Sequence, residues 1–141
     1  MLSSSALSQI ERKIGYTFRD KSLLSTCFTH SSYANRCGGE SNERLEFLGD
    51  AVLGFLVAEQ LYSRGGREGE MTSARIRLVS AKPLEESVRA MGLEQYLLSA
   101  GTAGGKSVSS LFEALTAGIY LDGGMEAARA FVSRHLRSSA E

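Results

Sequence analysis

The chain has 141 residues, of which 43% are hydrophobic, and its 16 basic side chains balance 16 acidic ones. That length and composition are typical of one globular domain, residues 1–141, and are too small for two ordinary domains. A net charge of zero argues against a protein that binds RNA through bulk positive charge. Any phosphate contacts would therefore come from locally placed Arg and Lys side chains, from metal ions or from a partner domain.

Two cysteines, Cys27 and Cys37, are the only thiols, and the sequence has no CxxC pattern or Cys/His cluster. This usage disfavours a disulfide scaffold and a zinc site, and it indicates reduced thiols. No apolar run approaches the length of a membrane span, and the N-terminus lacks the pattern of a signal peptide. We therefore expect a cytoplasmic protein without membrane association.

The spacing of apolar residues predicts helices along the whole chain, so the expected fold class is all-α, with about seven to nine helices. Serines at 3–5 precede the first helix, and Asp20 is placed to cap the second. In this half of the chain we predict a first helix carrying apolar residues up to position 14, a helix at 21–28, a short helix or turn at 29–36, a loop at 37–41 and a long helix at 42–63.

The second half of the chain continues the helical pattern. We expect Thr72 to cap a helix at 70–81, and Pro83 to lie in the first turn of the next helix, where its missing N–H does no harm. The apolar residues of the 70–81 helix are Met71, Ile76, Leu78 and Val79. The remaining predicted segments are a helix that stops at Gly92, a short turn at 93–98, a flexible loop at 99–106, a helix at 108–121 and a last helix at 125–137.

Residues 42–54, NERLEFLGDAVLG, place Glu43, Glu46 and Asp50 three and four residues apart. On a helix this spacing brings the three carboxylates to one face, where repulsion lowers helix stability by about a few tenths of a kcal/mol per pair. A cation between them would remove the cost, and hard oxygen ligands suit Mg²⁺ or Mn²⁺. The pattern alone leaves two interpretations open: a metal site and a solvated charged face.

The string RLEFLGD closely resembles the signature of the ribonuclease III family, the metal-dependent nucleases of double-stranded RNA. Three further segments are similar to family elements in order and spacing: FTHSSYAN at 28–35, REGEMTSARIRLVS at 67–80 and LFEALTAGIYLDGG at 111–124. The resemblance implies a helical nuclease domain that forms homodimers and uses Mg²⁺, or Mn²⁺ in its place. Family members commonly carry a further double-stranded-RNA-binding domain. Since the sequence ends at Glu141 without one, it fits a stand-alone nuclease domain and a truncated chain equally well.

The same resemblance implies the metal ligands. Glu46, Asp50 and Glu113 match family ligands, and Glu43 and Glu68 match two further acids near the site. The family has an Asp three residues before the Glu of the FEA motif, and this chain has Ser110 there.

A serine hydroxyl is neutral and cannot ligate a divalent cation as a carboxylate does. Two explanations stay open. Either Ser110 marks a weakened or non-cleaving member, or the cluster works with three acids, helped by a neighbour such as Glu43 or Glu68.

Small residues surround one large aromatic residue on the signature helix: Phe47 lies near Ala51, Gly54 and Ala58 in helical spacing. Core packing would explain this stripe, whereas the resemblance favours a two-fold dimer interface. Lys106, Arg75, Arg77 and Lys82 are candidates for phosphate contacts, with solvated surface charge as the alternative.

The roles of His30 and Arg44 each allow two interpretations. His30 could contact phosphate, but we expect a structural role. Arg44 could pair with Glu43 or Glu46 on the helix surface, but we favour a role in bracing the acidic cluster from behind.

The resemblance implies a metal-dependent endoribonuclease that cleaves both strands of double-stranded RNA, and Ser110 leaves open whether this activity is weakened. The alternative, from another functional class, is a non-catalytic dimeric module with the same fold that binds structured RNA or a ribosomal particle. A metal-dependent phosphohydrolase of smaller nucleotides is a third, weaker hypothesis.

Overall fold

A computed structural model describes residues 2–101 and 104–136, and within them the chain forms eight α-helices without a β-strand. The helices are α1 (Ser4–Ile14), α2 (Lys21–Cys27), α3 (Ser31–Cys37), α4 (Glu43–Arg64), α5 (Glu68–Leu78), α6 (Ala81–Ala90), α7 (Gly105–Gly123) and α8 (Met125–His135). A short 3₁₀ turn (Glu94–Tyr96) follows α6. The all-α prediction is confirmed. Among residues 2–101 and 104–136, none of the helices combines the length and the apolar character that a membrane span needs.

Local capping explains where the first three helices begin. The Ser3 side chain accepts a hydrogen bond from the Ala6 amide, and the Asp20 carboxylate accepts from the amides of Ser22 and Leu23. His30 caps α3, because its Nδ1 accepts from the Ser32 amide at 3.1 Å. The predicted serine and Asp20 caps and the structural role of His30 are therefore confirmed.

The predicted boundaries of α5 are wrong. The helix begins at Glu68 and ends at Leu78, and its first turn is closed by Glu70, whose Oε1 accepts from the Arg67 amide at 3.1 Å; Thr72 is not its cap. Of the four apolar residues predicted for this helix, Leu78 and Val79 pack partly buried against the core and Met71 is half-buried, whereas Ile76 is 62% exposed. The exposure of Ile76 has a tertiary cause, because α5 packs mainly against α4 and to a smaller extent against α6.

Two other boundaries also shift. Helix α7 begins at Gly105, inside the predicted loop at 99–106, because Gly104 has an extended backbone and starts the helix. Helix α8 ends at His135, and position 137 of the predicted last helix lies outside the described residues. Pro83 lies in the first turn of α6, as predicted, and is buried.

Helix α7 is the centre of the core. Eleven of its residues are buried, and α2, α4, α6 and α8 pack around it. Phe18, Phe28 and Phe112 are fully buried beside them. Cys27 is buried and free and Cys37 is exposed and free, which agrees with reduced thiols; burial raises the pKa of the Cys27 thiol.

One glycine determines how closely α4 approaches α7. A Cβ atom on Gly49 would overlap the carbonyl group of Glu113, so the two helix backbones meet at this point and only glycine fits between them. Because Gly49 lies between Glu46 and Asp50, this contact brings both acids beside the segment 110–113 of α7.

Candidate functional site

Four side chains meet where α4 contacts α7. Glu46 and Asp50 come from α4, and Ser110 and Glu113 come from the first half of α7. The Ser110 hydroxyl donates to Oε2 of Glu46 at 2.9 Å, and the Glu113 carboxyl shares a side-chain hydrogen bond with Asp50. The structure therefore brings together the three acids that the resemblance implies as metal ligands.

The carboxyl group of Glu113 is partly buried between two other acids, Asp50 and Glu46. Burial, the hydrogen bond with Asp50 and the charges of Asp50 and Glu46 raise the pKa of Glu113 from 4.5 to about 8, and the Lys106 ammonium opposes this rise. At neutral pH a proton therefore stays on Glu113 and holds it to Asp50. Such an arrangement is typical of carboxylates that share a cation or a proton at a functional site.

An open cavity of about 440 Å³ lies beside this cluster, between α6 and α7. Its polar wall includes Glu46, Glu113 and Ser110 together with Lys106 and Glu85, and Val79, Ala81 and Leu84 form an apolar wall. Lys106 is exposed in the first turn of α7, so its ammonium lies at the mouth of the cavity that holds the acids. Of the four basic residues predicted to contact phosphate, Lys106 alone is among the residues that line this cavity.

The other predicted site residues lie elsewhere. Glu43 lines a groove beside Phe47, and Glu68 lies with Arg75 in a cleft between α4 and α5. Arg77 lines a shallow surface with Arg67 and Glu70, and Lys82 is exposed at the start of α6. Neither Glu43 nor Glu68 is among the residues that line the cavity containing Glu46.

The prediction for Arg44 is wrong. Its guanidinium pairs with Glu40 at 3.4 Å, and its side chain is 90% exposed, so it does not pair with Glu43 or Glu46 or brace the cluster. Helical side chains lean towards the N-terminus, which directs Arg44 to the preceding loop and away from the acids that follow it.

The donor set fits a divalent cation in its chemistry. Glu46, Asp50 and Glu113 offer hard carboxylate oxygens, which Mg²⁺ and Mn²⁺ prefer, and their mutual repulsion favours a bound cation. As they stand, no three His, Cys, Asp or Glu side chains in ranges 2–101 and 104–136 are gathered as a ready-made metal site. Ligation would therefore require side-chain rotation or bridging water.

On the signature helix, Phe47 is 82% exposed, so core packing does not explain the small-residue stripe. Ala51 is exposed and Gly54 half-buried next to it. An open groove of about 830 Å³ runs beside Phe47, and its apolar lining comes from Leu23, Leu45, Leu48 and Leu121. A large exposed aromatic side chain therefore lies next to an unfilled apolar groove.

Two contributors to the site were missed in the sequence. Gly49 lies inside the RLEFLGD string, and the requirement for glycine beside two acids is a signal that could have indicated a helix contact. Glu85 lines the cavity from α6. Nothing in the local pattern separates it from its neighbour Glu86, because only the packing of α6 against α7 decides which of the two faces the acids.

Comparison with known proteins agrees with this geometry. A family model described as Ribonuclease-III-like matches residues 20–139. The chain belongs to the ribonuclease III family.

Curated relatives of the chain include ribonucleases 3 of bacteria. The chain is 43% identical to ribonuclease 3 of Pseudomonas fluorescens strain SBW25, over 96% of this chain and 62% of that protein. It is 49% identical to ribonuclease 3 of Oleidesulfovibrio alaskensis, over 80% of this chain and 54% of that protein. The chain thus spans a little more than half the length of these relatives.

A solved structure gives the correspondence of folds. The nuclease domain of ribonuclease III from Campylobacter jejuni superposes with a TM-score of 0.86 at 31% identity, covering 92% of this chain and 95% of that domain. The work on that domain concerns structural flexibility in a region involved in its dimer formation. Because nearly all of both chains align, the helical fold described above is that of a ribonuclease III nuclease domain.

Proposed function

We propose that this ribonuclease III domain is a metal-dependent endoribonuclease that cleaves both strands of double-stranded RNA. The observation that carries the proposal is the meeting of Glu46, Asp50 and Glu113 at the contact between α4 and α7, where burial and like charges raise the pKa of Glu113 to about 8. The adjacent cavity, with Lys106 at its mouth, leaves room for a phosphate group next to these acids.

Hydrolysis of a phosphodiester needs an activated water, charge stabilisation at the phosphorus and a neutralised leaving oxygen. Divalent cations held by Glu46, Asp50 and Glu113 would supply this chemistry. The chain's own residues position the acids: the Ser110 hydroxyl fixes one oxygen of Glu46, and Asp50 holds Glu113. The Lys106 ammonium neutralises charge on the entering phosphate and draws the RNA backbone towards the cluster.

RNA binding would depend on local positive charge because the net charge is zero. We propose that the exposed side chains of Lys106, Arg75, Arg77 and Lys82 contact backbone phosphates. An A-form duplex presents its 2′-hydroxyls in a wide, shallow minor groove, so selection of double-stranded RNA would depend on shape and not on base edges.

The proposed partner is a second copy of the chain. In a two-fold dimer, Phe47 of each subunit would enter the apolar groove of the other, lined by Leu23, Leu45, Leu48 and Leu121. Burying a phenylalanine contributes about 2–3 kcal/mol, and two-fold symmetry repeats the contribution. Such a dimer would present two acidic clusters to one duplex, so that each cuts one strand and short 3′ overhangs remain.

One observation supports the alternative of a non-catalytic RNA- or ribosome-binding module. Ser110 is buried and donates to Glu46, so a neutral hydroxyl occupies the position at which the family has an acid. Loss of one ligand charge would weaken cation binding and could leave a dimer that holds RNA without cutting it.

A cleavage assay distinguishes these functions. A long, perfect RNA duplex would be incubated with the protein and Mg²⁺, and separately with Mn²⁺, beside Asp50→Asn, Glu113→Gln and the control Glu86→Gln on the exposed side of α6. The enzyme reading expects cuts on both strands that are lost in the first two variants and kept in the control. Duplex binding without cleavage by the wild-type protein would support the binding module instead.

A further inference from the structure

Glu85 on α6 is an acid that the ribonuclease III resemblance does not point to, yet it lines the same cavity as Glu46 and Glu113. The 440 Å³ cavity therefore has acids on both sides: two on the walls from α4 and α7, and one on the wall from α6. We propose that Glu85 is a further residue of the cation site, a positioning residue that replaces part of the charge missing at Ser110. This inference rests on the proposed metal-dependent function.

The two carboxylate oxygens of Glu85 have different surroundings. Oε2 accepts a hydrogen bond from Nε of Arg89 at 2.9 Å, one turn along α6. Oε1 lies over the first turn of α7, at 2.8 Å from the point where a Cβ on Gly105 would stand. Arg89 therefore holds Oε2, and Oε1 lies beside the first turn of α7, where Glu85 lines the cavity.

Glycine at 105 makes this position possible. A Cβ there would be too close to Oε1 of Glu85, so the missing side chain provides the space that the carboxylate occupies. The first turn of α7 has no side-chain cap, and the positive end of its dipole favours a carboxylate nearby. The missing side chain at 105 and the end of the helix thus combine to keep the Glu85 carboxylate at this wall.

The charge balance of the cavity supports the assignment. Ser110 contributes a neutral hydroxyl, and Lys106 contributes a positive charge at the cavity mouth. With Glu85 included, three acids line the cavity (Glu46, Glu85 and Glu113) and Asp50 lies beside them on α4, although Arg89 offsets part of the charge of Glu85. These four acids equal the number that the cluster would have with an aspartate at position 110.

The separation between Glu85 and the other acids indicates how Glu85 would act on a bound cation. No three acids in the described ranges are close enough to form a ready-made metal site, so Glu85 is placed to act through water and not as a direct ligand. Mg²⁺ usually keeps several of its waters when protein carboxylates bind it, and outer carboxylates that accept hydrogen bonds from such waters strengthen binding. Glu85 would hold these waters from the side opposite Glu46.

The test measures cation binding by the RNA-free protein. Mn²⁺ would be titrated into wild type, Glu85→Gln and Glu94→Gln, with free Mn²⁺ followed by electron paramagnetic resonance. Glu94 is the matched control, because it is the second partner of Arg89, at 3.6 Å, but is not among the residues that line the cavity. We expect the dissociation constant to rise about tenfold in Glu85→Gln and to stay within about twofold in Glu94→Gln.

Two further variants keep the test decisive if Glu85→Gln folds poorly. Gly105→Ala displaces Oε1 of Glu85 without removing any charge, and we expect it to weaken Mn²⁺ binding as well. Adding Ser110→Asp to Glu85→Gln should restore binding, because the new acid makes Glu85 dispensable. If the wild type binds Mn²⁺ and both Glu85→Gln and Gly105→Ala bind it equally well, the role of Glu85 is wrong, but the proposed metal-dependent function is not affected. Absence of Mn²⁺ binding by the wild type overturns the metal-dependent function together with this inference.

Discussion

Replacing Glu113 by glutamine should stabilise the metal-free protein at alkaline pH. The glutamine amide can still donate to Asp50, as the protonated Glu113 carboxyl does, but it has no charge to place beside Asp50 and Glu46. The variant therefore keeps the hydrogen bond and loses the repulsion. Functional clusters of like charges commonly lower the stability of a protein, so neutralising one member is expected to raise the free energy of unfolding.

The pH window follows from the two states of Glu113. In the unfolded chain its carboxyl ionises near its ordinary pKa of 4.5, and in the folded protein it keeps its proton until a pKa of about 8. Folding therefore binds a proton between these values, so the contribution of Glu113 to the free energy of unfolding falls as pH rises and levels off above about pH 8.

The full shift would correspond to about 5 kcal/mol, at about 1.4 kcal/mol per pKa unit. Water at the open cavity screens the charges, and Asp50 and Glu46 share the repulsion, so we expect about 1–2 kcal/mol.

Urea denaturation in a chelating buffer would measure this difference at pH 4.5, 6.5 and 8.5. Glu113→Gln should equal the wild type at the lowest pH and exceed it by the full amount at the highest. Glu86→Gln, an exposed glutamate of α6, should show no such trend. If the gain of Glu113→Gln does not depend on pH, or if the variant is less stable at pH 8.5, the assignment of a repulsive cluster is wrong.

Three other predictions concern the helix contact, the departure from the family and the dimer. Gly49→Ala should lower the free energy of unfolding by about 3 kcal/mol, because its Cβ would overlap the backbone of α7. The control Gly69→Ala places its Cβ in open space and should not lower it. Equal thermal stabilities of these two variants would contradict the close contact at Gly49. Ser110→Asp should raise the cleavage rate at least about tenfold by restoring a ligand charge, and equal rates would show that the serine is no defect. Phe47→Ser should raise the dimer dissociation constant at least about a hundredfold in sedimentation experiments, whereas Ile76→Ser, an exposed apolar residue of α5, should not. A monomeric wild-type protein at micromolar concentration would remove the interface.

Much of the fold follows from local sequence signals. The caps at Ser3 and Asp20 depend on interactions within one turn, so sequence alone locates them. The exposure of Ile76 depends on how α5 packs against α4 and α6, which the apolar spacing does not reveal. The start of α7 at Gly105 is hard to predict for a related reason. Glycines at 104 and 105 are typical of a loop, and the sequence does not show that Glu85 of α6 packs against Gly105.

The acidic cluster shows the same division. Helical spacing alone placed Glu46 and Asp50 on one face, but only the family resemblance linked them to Glu113, more than sixty positions away. The contact at Gly49 and the cavity wall at Glu85 are products of tertiary packing. Periodicity describes single helices, and therefore it could not show which faces of α4, α6 and α7 meet.

The backbone contact at Gly49 also sets the register of the two helices on which the cluster is built. An α-helix rises 1.5 Å and turns about 100° per residue, so a slip of one residue in either helix would turn a carboxylate away from its partners. The glycine therefore fixes both the distance between α4 and α7 and the position along each helix at which they are in contact. A designer who transfers the acids to another pair of helices would have to transfer this glycine with them, at the same level between the two acids, or the transplanted carboxylates would not converge.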